Sequence, residues 1–164
     1  EIELHCEQSP ALIPRVARGE LDLALVSRDH ARRGTLLFHE PMVWVGSPQF
    51  ELWRRDPLPI AVYEEASLAR RGAIQSLAQQ GRRYKVVYNS SSLAGQIAAV
   101  DSGLAVAVLT QCSAPPHLMI LGERQGLPPL DAMAVAVYRS KTSRTNPAVD
   151  ALHELVLQTL SKPA

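Results

Sequence analysis

An α/β fold, in which strands and helices alternate and parallel strands are covered on both faces, is the class these residues predict. Three observations carry it. Short apolar runs, "LDLALVS" and "LAVAVLTQ" among them, have the length and composition of strands buried on two sides. Between them lie amphipathic stretches with Ser or Pro at the front and Gly behind, the punctuation of helices. The two kinds of segment take turns through almost the whole chain, an order that selects α/β over the segregated classes.

Each element has its own warrant. "IELHCEQ" puts Ile2, Leu4 and Cys6 at every second position, which predicts a strand with one covered face. Ser9 is placed to cap the next helix, with Pro10 in its first position, Leu12, Ile13 and Val16 on one stripe and Gly19 as the stop. Pro14 removes a backbone donor, so a bend or a later start is expected there. "LDLALVS" follows as a buried strand, then "PMVWVGSP" and "PLPIAVYEEAS" as two more. Ser67 precedes the helix "LARRGAIQSLAQQG", which Gly81 ends. "YKVVYNSSS" is a strand feeding a serine-rich cap and the helix "LAGQIAAVDSG", and "LAVAVLTQ" is the next strand. "DAMAVAVYRS" is a last strand, and "PAVDALHELVLQTL" a last helix with Pro147 in its first turn and Leu152, Leu155, Val156 and Leu160 on one face. Residues 113–116 and 126–129 are proline-containing loops. Trp44 reads as core, Trp53 as part of a polar turn or helix.

Composition narrows the function. With 164 residues, 46% hydrophobic and 20% charged, the chain can bury about 70% of its unfolded surface, enough for one domain or two small lobes. It has no apolar run of membrane-spanning length and no basic-then-apolar leader, so neither a membrane partner nor secretion is expected. Net charge is +1, and the pairs Arg32-Arg33, Arg54-Arg55, Arg70-Arg71 and Arg82-Arg83 are dispersed, unlike the concentrated basic face that counterion release rewards. Direct DNA binding by these residues is therefore not expected. Cys6 and Cys112 lie far apart with no metal-ligand spacing, so reduced thiols are expected and no metal or cofactor. There is no GxSxG elbow and no phosphate-binding glycine loop, and His5, His30, His39, His117 and His153 are scattered, which leaves catalysis unsupported.

Three stretches in order, "LIPRVARGELDLALVS", "EPMVWVGSP" and "YNSSSLAGQIAAVDSGLAVAVLT", resemble the effector-binding domain of LysR-type transcriptional regulators. The family's "geldlai"-like turn is matched by Gly19 to Leu25. Its "v..G.Gia.l" segment is matched by Val100 to Leu109, with Ala105 where a second glycine is usual. The resemblance implies two Rossmann-like lobes of type 2 periplasmic-binding-protein architecture, joined by crossover strands at 42–47 and 133–139. Residues 1–46 with 136–164 would form lobe one, and 47–135 lobe two. It also implies that lobe one lacks its first strand and helix here, and that an amino-terminal winged helix-turn-helix lies outside this chain. The implied function is sensing of a small-molecule effector between the lobes by a cytoplasmic regulator that meets DNA only through that outside domain, as a homodimer or homotetramer. The alternatives are a fragment of a periplasmic solute-binding protein or an enzyme on the same two-lobed fold.

Ligands of doubly wound sheets sit beyond the carboxyl ends of the strands, where helix amino ends converge. Asn89, Ser90, Ser91 and Ser92 form the most polar strand exit, with one serine expected to cap the helix; Thr110 ends a neighbouring strand. By the resemblance, Glu64, Glu65 and Ser67 lie on an effector-facing loop, and Ser9, Ser27 and Arg28 on the rim of lobe one. Ser9 and Ser67 read equally as plain caps, and Arg28 as an exposed turn residue. A confined Glu64–Glu65 pair would repel an anionic effector and favour a neutral, cationic or hydroxylated one; if both point to solvent, an anion remains acceptable.

Overall fold

The structure, a computed structural model, describes residues 2–161. Along the chain run α1 (Ser9–Arg18), β1 (Leu23–Ser27), β2 (Thr35–Glu40), β3 (Met42–Gly46), β4 (Leu58–Val62), α2 (Leu68–Gln79), β5 (Tyr84–Asn89), α3 (Leu93–Asp101), β6 (Val106–Thr110), β7 (Met119–Leu121), β8 (Met133–Arg139) and α4 (Pro147–Leu160). Two compact units result: the residues before Glu40 together with those after Met133, and residues 40–133. The strand β3, expected with lobe one, pairs with β6 and β7 and so lies in the 40–133 unit. The other boundary falls after Met133, two residues before the expected position.

The first unit holds a three-stranded sheet in the order β1-β8-β2, with β1 antiparallel to β8. The helix α1 covers one face of β1: Leu12 and Val16 pack with Ala24 and Val26. Its end is the predicted one, Gly19 in a left-handed conformation (φ 78°), where the amides of Gly19 and Glu20 close on the carbonyls of Val16 and Arg15. Pro14 sits inside the helix, which nevertheless starts at Ser9. The run "LDLALVS" is half-covered and not buried on both faces: Ala24 and Val26 are enclosed, whereas Leu25 is 48% exposed. The expected strand at residues 2–8 does not form. A strand needs a partner edge, and Ile2 and Leu4 remain exposed without one among the described residues. On α4 the expected apolar face is partly covered: Leu152, Val156 and Leu160 are half-buried, Leu155 is 57% exposed, and Val149 is the buried residue of the helix.

The second unit holds a five-stranded sheet in the order β5-β4-β6-β3-β7. Its central strands are covered twice, which explains their continuous apolar runs. Ile60, Val62, Val106 and Val108 face α2 through Ala73 and Leu77, while the alternating Ala61, Ala107 and Leu109 face α3 through Ala99 and Val100. Trp44 is core as expected, its Nε1 donating to the Pro128 carbonyl at 3.1 Å. Trp53, expected on a polar turn or helix, is buried in the same cluster from the 3-10 turn Leu52–Arg54.

The second sheet is mixed and not purely parallel. The strands β5, β4 and β6 are parallel because helical crossovers through α2 and α3 join them. The strand β3 follows β2 after one residue, without a crossover helix, and pairs antiparallel with β6 and β7.

Candidate functional site

Parallel pairing of β4 with both β5 and β6 brings the carboxyl ends of these three strands to one edge of the second sheet. The amino end of β3 joins them, since Met42 stands opposite Thr110. From β4 the chain goes through α2 to β5 on one side. From β5 it returns through α3 to β6 on the other, so a switch in strand order lies between β4 and β6. Open α/β sheets bind ligands at such a point.

Every residue predicted for the second lobe reaches this edge. Glu64 and Glu65 follow β4 and are exposed. Ser67 occupies the N-cap position of α2 and is buried, but its hydroxyl makes no cap bond. Asn89 ends β5, exposed, and Ser91 is exposed after it. Ser92 is the helix cap, its Oγ accepting from the Gly95 amide at 3.3 Å, and Ser90 Oγ accepts from the Ser92 amide at 3.1 Å. Two of the three serines thus serve the helix start. Thr110 is half-buried, its Oγ1 2.7 Å from Ser113 Oγ.

Sequence reasoning missed three residues here. Gln96, in the second turn of α3, is fully buried; its Nε2 donates to the Val62 carbonyl at 2.7 Å and to the Ser90 carbonyl at 2.8 Å. Its stripe with Ala99 and Val100, at helical spacing, was the signal that could have exposed it. Glu40 is also buried, Oε1 accepting from the Cys112 amide at 2.9 Å. Tyr63, just past β4, packs against the α3-side core, and burial pushes its phenol above the usual range, so it is a neutral hydroxyl. The edge therefore carries three carboxylates, Glu40, Glu64 and Glu65, while the nearby Arg70 is held to the Tyr63 carbonyl at 3.1 Å.

In the first unit the structure joins Ser9 to Ser27. The expectation that Ser9 caps α1 is corrected: Gln8 holds the N-cap position, and Ser9 Oγ instead accepts from the Ser27 amide at 2.8 Å, pinning the helix start to the end of β1. Arg28 is half-buried. Its guanidinium donates to the carbonyls of Ala31 and Gly34, and so organises the following turn. Replacing Ser9 with alanine leaves the Ser27 amide without this acceptor and is expected to destabilise the chain by about 1 kcal/mol. Denaturant midpoints of wild type and Ser9→Ala check this; an unchanged midpoint would mean that water takes over the bond.

Comparison with known proteins fits this architecture. Residues 1–161 match the family described as the LysR substrate binding domain. The chain is similar to the HTH-type transcriptional regulator DgdR of Burkholderia cepacia, 38% identical over 137 residues, covering 83% of this chain and 47% of that protein. It is also similar to the regulator PecT of Dickeya dadantii (strain 3937), 28% identical over 130 residues, covering 79% of this chain and 41% of that protein. The chain thus spans under half the length of these two relatives. Among solved structures, the CcmR regulatory domain of Synechocystis PCC6803 in complex with 2-PG superposes with a TM-score of 0.77 at 16% identity, covering 99% of this chain and 84% of that one. The QuiR effector-binding domain in complex with shikimate superposes at 0.71 and 14% identity, covering 93% and 78%. At such identities these two likenesses bear on the fold alone. Through the match across its length, this chain belongs to the LysR substrate binding domain family.

Proposed function

We propose that this chain is the effector-sensing part of a LysR-type transcription regulator and that the carboxyl edge of the second sheet binds the small-molecule effector. One observation carries the reading. Three strand exits deliver Glu64 to Ser67, Asn89 to Ser92 and Thr110 to a single edge at a switch in strand order. The effector acts by binding one state of the regulator more tightly than another, which is the physical requirement for allostery. In the intact regulator, DNA contact belongs to a winged helix-turn-helix outside these residues, the assembly is a homodimer or homotetramer, and the setting is cytoplasmic; both curated relatives are HTH-type regulators. Binding without chemistry suits the side chains. Among the described residues, His117 meets Asp101 at 2.9 Å, His5 meets Glu3 at 3.1 Å, and His30 meets Asp29 and Arg33. Among the described residues no helix is long and apolar enough to cross a membrane, and no three His, Cys, Asp or Glu side chains are grouped to hold a metal ion.

Glu64 and Glu65 are exposed and not confined, so an anionic effector remains acceptable beside a neutral, hydroxylated or cationic one. Thermal unfolding of the chain with shikimate, malate, glycine, ethanolamine and glucose tests the proposal. A ligand of the folded state raises apparent stability by RT ln(1 + [L]/Kd), about 2.7 kcal/mol at a hundred times Kd. The expected result is a saturable rise in Tm for at least one of the five compounds, lost in an Asn89→Ala/Ser91→Ala double variant. No response to any compound, or a response that the double variant retains, would sink the assignment.

A further inference from the structure

We infer that Gln96 is the positioning residue of this edge, the group that fixes the two strand exits carrying its polar side chains; the functional meaning of that role rests on the effector reading above. The geometry is a closed arrangement. Val62 ends β4, and its carbonyl accepts from both the Ser90 amide at 3.1 Å and Gln96 Nε2 at 2.7 Å. The same Nε2 reaches the Ser90 carbonyl at 2.8 Å. One amide group therefore ties the exit from β4, which leads to Glu64, Glu65 and Ser67, to the exit from β5, which leads to Ser91 and Ser92. It does so from a fully buried position on α3, so neither exit moves without the other or without the helix.

Two further observations point the same way. The first turn of α3 is packed tightly on β5: a Cβ at Gly95 would stand 2.6 Å from Tyr88 Oη and 3.2 Å from Ser90 Oγ. The amide of Gln96 is thus delivered to the two carbonyls by a helix start that lies close against Tyr88 and Ser90. In addition, Gln96 Oε1 is buried with no hydrogen-bond partner. An apolar residue of similar size would avoid that orphaned acceptor, so what the glutamine contributes at this position is its pair of donors. The polar exits are thereby preorganised, which reduces the ordering cost of binding a small molecule there.

The test replaces both donors while keeping the volume, with Gln96→Met in the whole chain. Amide hydrogen exchange resolved by residue is the first readout. Exchange at Ser90, Ser92 and Gly95 is expected to accelerate at least tenfold, while exchange at Val43 and Val108 in the sheet stays within twofold of wild type. Rim amides unchanged, or all these amides accelerated by one common factor, would overturn the inference, because the second pattern is what general loss of stability produces. The second readout is affinity for shikimate, malate, glycine, ethanolamine and glucose. For any of these that stabilises the wild-type chain, the variant should raise apparent Kd at least tenfold; an unchanged Kd overturns the role of Gln96 while leaving the effector reading intact. If the wild type answers to none of the five, the effector reading fails, and the exchange pattern still decides for or against Gln96 as the tie between the exits. Should Gln96→Met not fold, Gln96→Asn, which keeps an amide one methylene short of both carbonyls, carries the same comparison.

Discussion

Gly34→Ala is expected to destabilise the first unit by roughly 3–5 kcal/mol, the sum of left-handed backbone strain and a clash against backbone. Gly34 has φ +66°, and a Cβ there would lie 2.3 Å from the Val137 carbonyl oxygen and 3.1 Å from Tyr138 Cα. Those atoms belong to β8, the central strand of the three-stranded sheet, so they cannot give way without breaking its pairing with β1, where Leu25 stands opposite Val137. Gly81 supplies the control. It has φ +67° but nothing within 4 Å of its Cβ position, so Gly81→Ala carries only the strain, about 1–2 kcal/mol. Urea unfolding followed by exchange at the Ala24 and Val26 amides for Gly34→Ala, and at the Val106 and Val108 amides of the second unit for Gly81→Ala, compares the two losses, each in its own unit. Equal losses in both variants would show that the approach to Val137 does not matter.

Trp44→Ala should cost the second unit about 3–5 kcal/mol, the range for truncating a buried aromatic. Trp44 is 2% exposed and packs in the cluster that holds Leu58, Ile60 and Leu77. Its Nε1 also bonds the Pro128 carbonyl, tying a loop 84 residues away in sequence to β3. Trp44→Phe divides the loss. It keeps most of the apolar contact but leaves the Pro128 carbonyl without this donor, which predicts a smaller cost of about 1–3 kcal/mol. Calorimetric or denaturant unfolding of the two variants checks the order; a phenylalanine variant as unstable as the alanine one would place the energy in the hydrogen bond and not in packing.

Elements whose signals are local were readable. The helix α1 with its Gly19 stop, the serine-capped start of α3 and the apolar strands β4 and β6 all appeared where pattern and punctuation put them. Elements that depend on a partner were not. Residues 2–8 alternate like a strand but find no edge, while β2 and the three-residue β7 carry weak patterns and form because β8 and β3 offer edges to them. Site residues divide the same way. The serine run after β5 stood out by composition. Nothing around Ser9 announced that its hydroxyl would bond the Ser27 amide instead of its own helix, and Gln96 read as one polar letter in an apolar helix.

The sequence by itself determined the α/β class, the order of most strands and helices, and the family resemblance, because periodicity, capping and turn chemistry act over a few residues. Only the tertiary structure decided that the second sheet is mixed, that Ser9 serves β1, and that Gln96 and Glu40 stand among the polar exits. Those outcomes depend on which backbone groups from distant segments meet. Hydrogen bonds spanning 18 residues from Ser9 to Ser27, 34 from Val62 to Gln96 and 72 from Glu40 to Cys112 are set by packing, not by neighbouring letters.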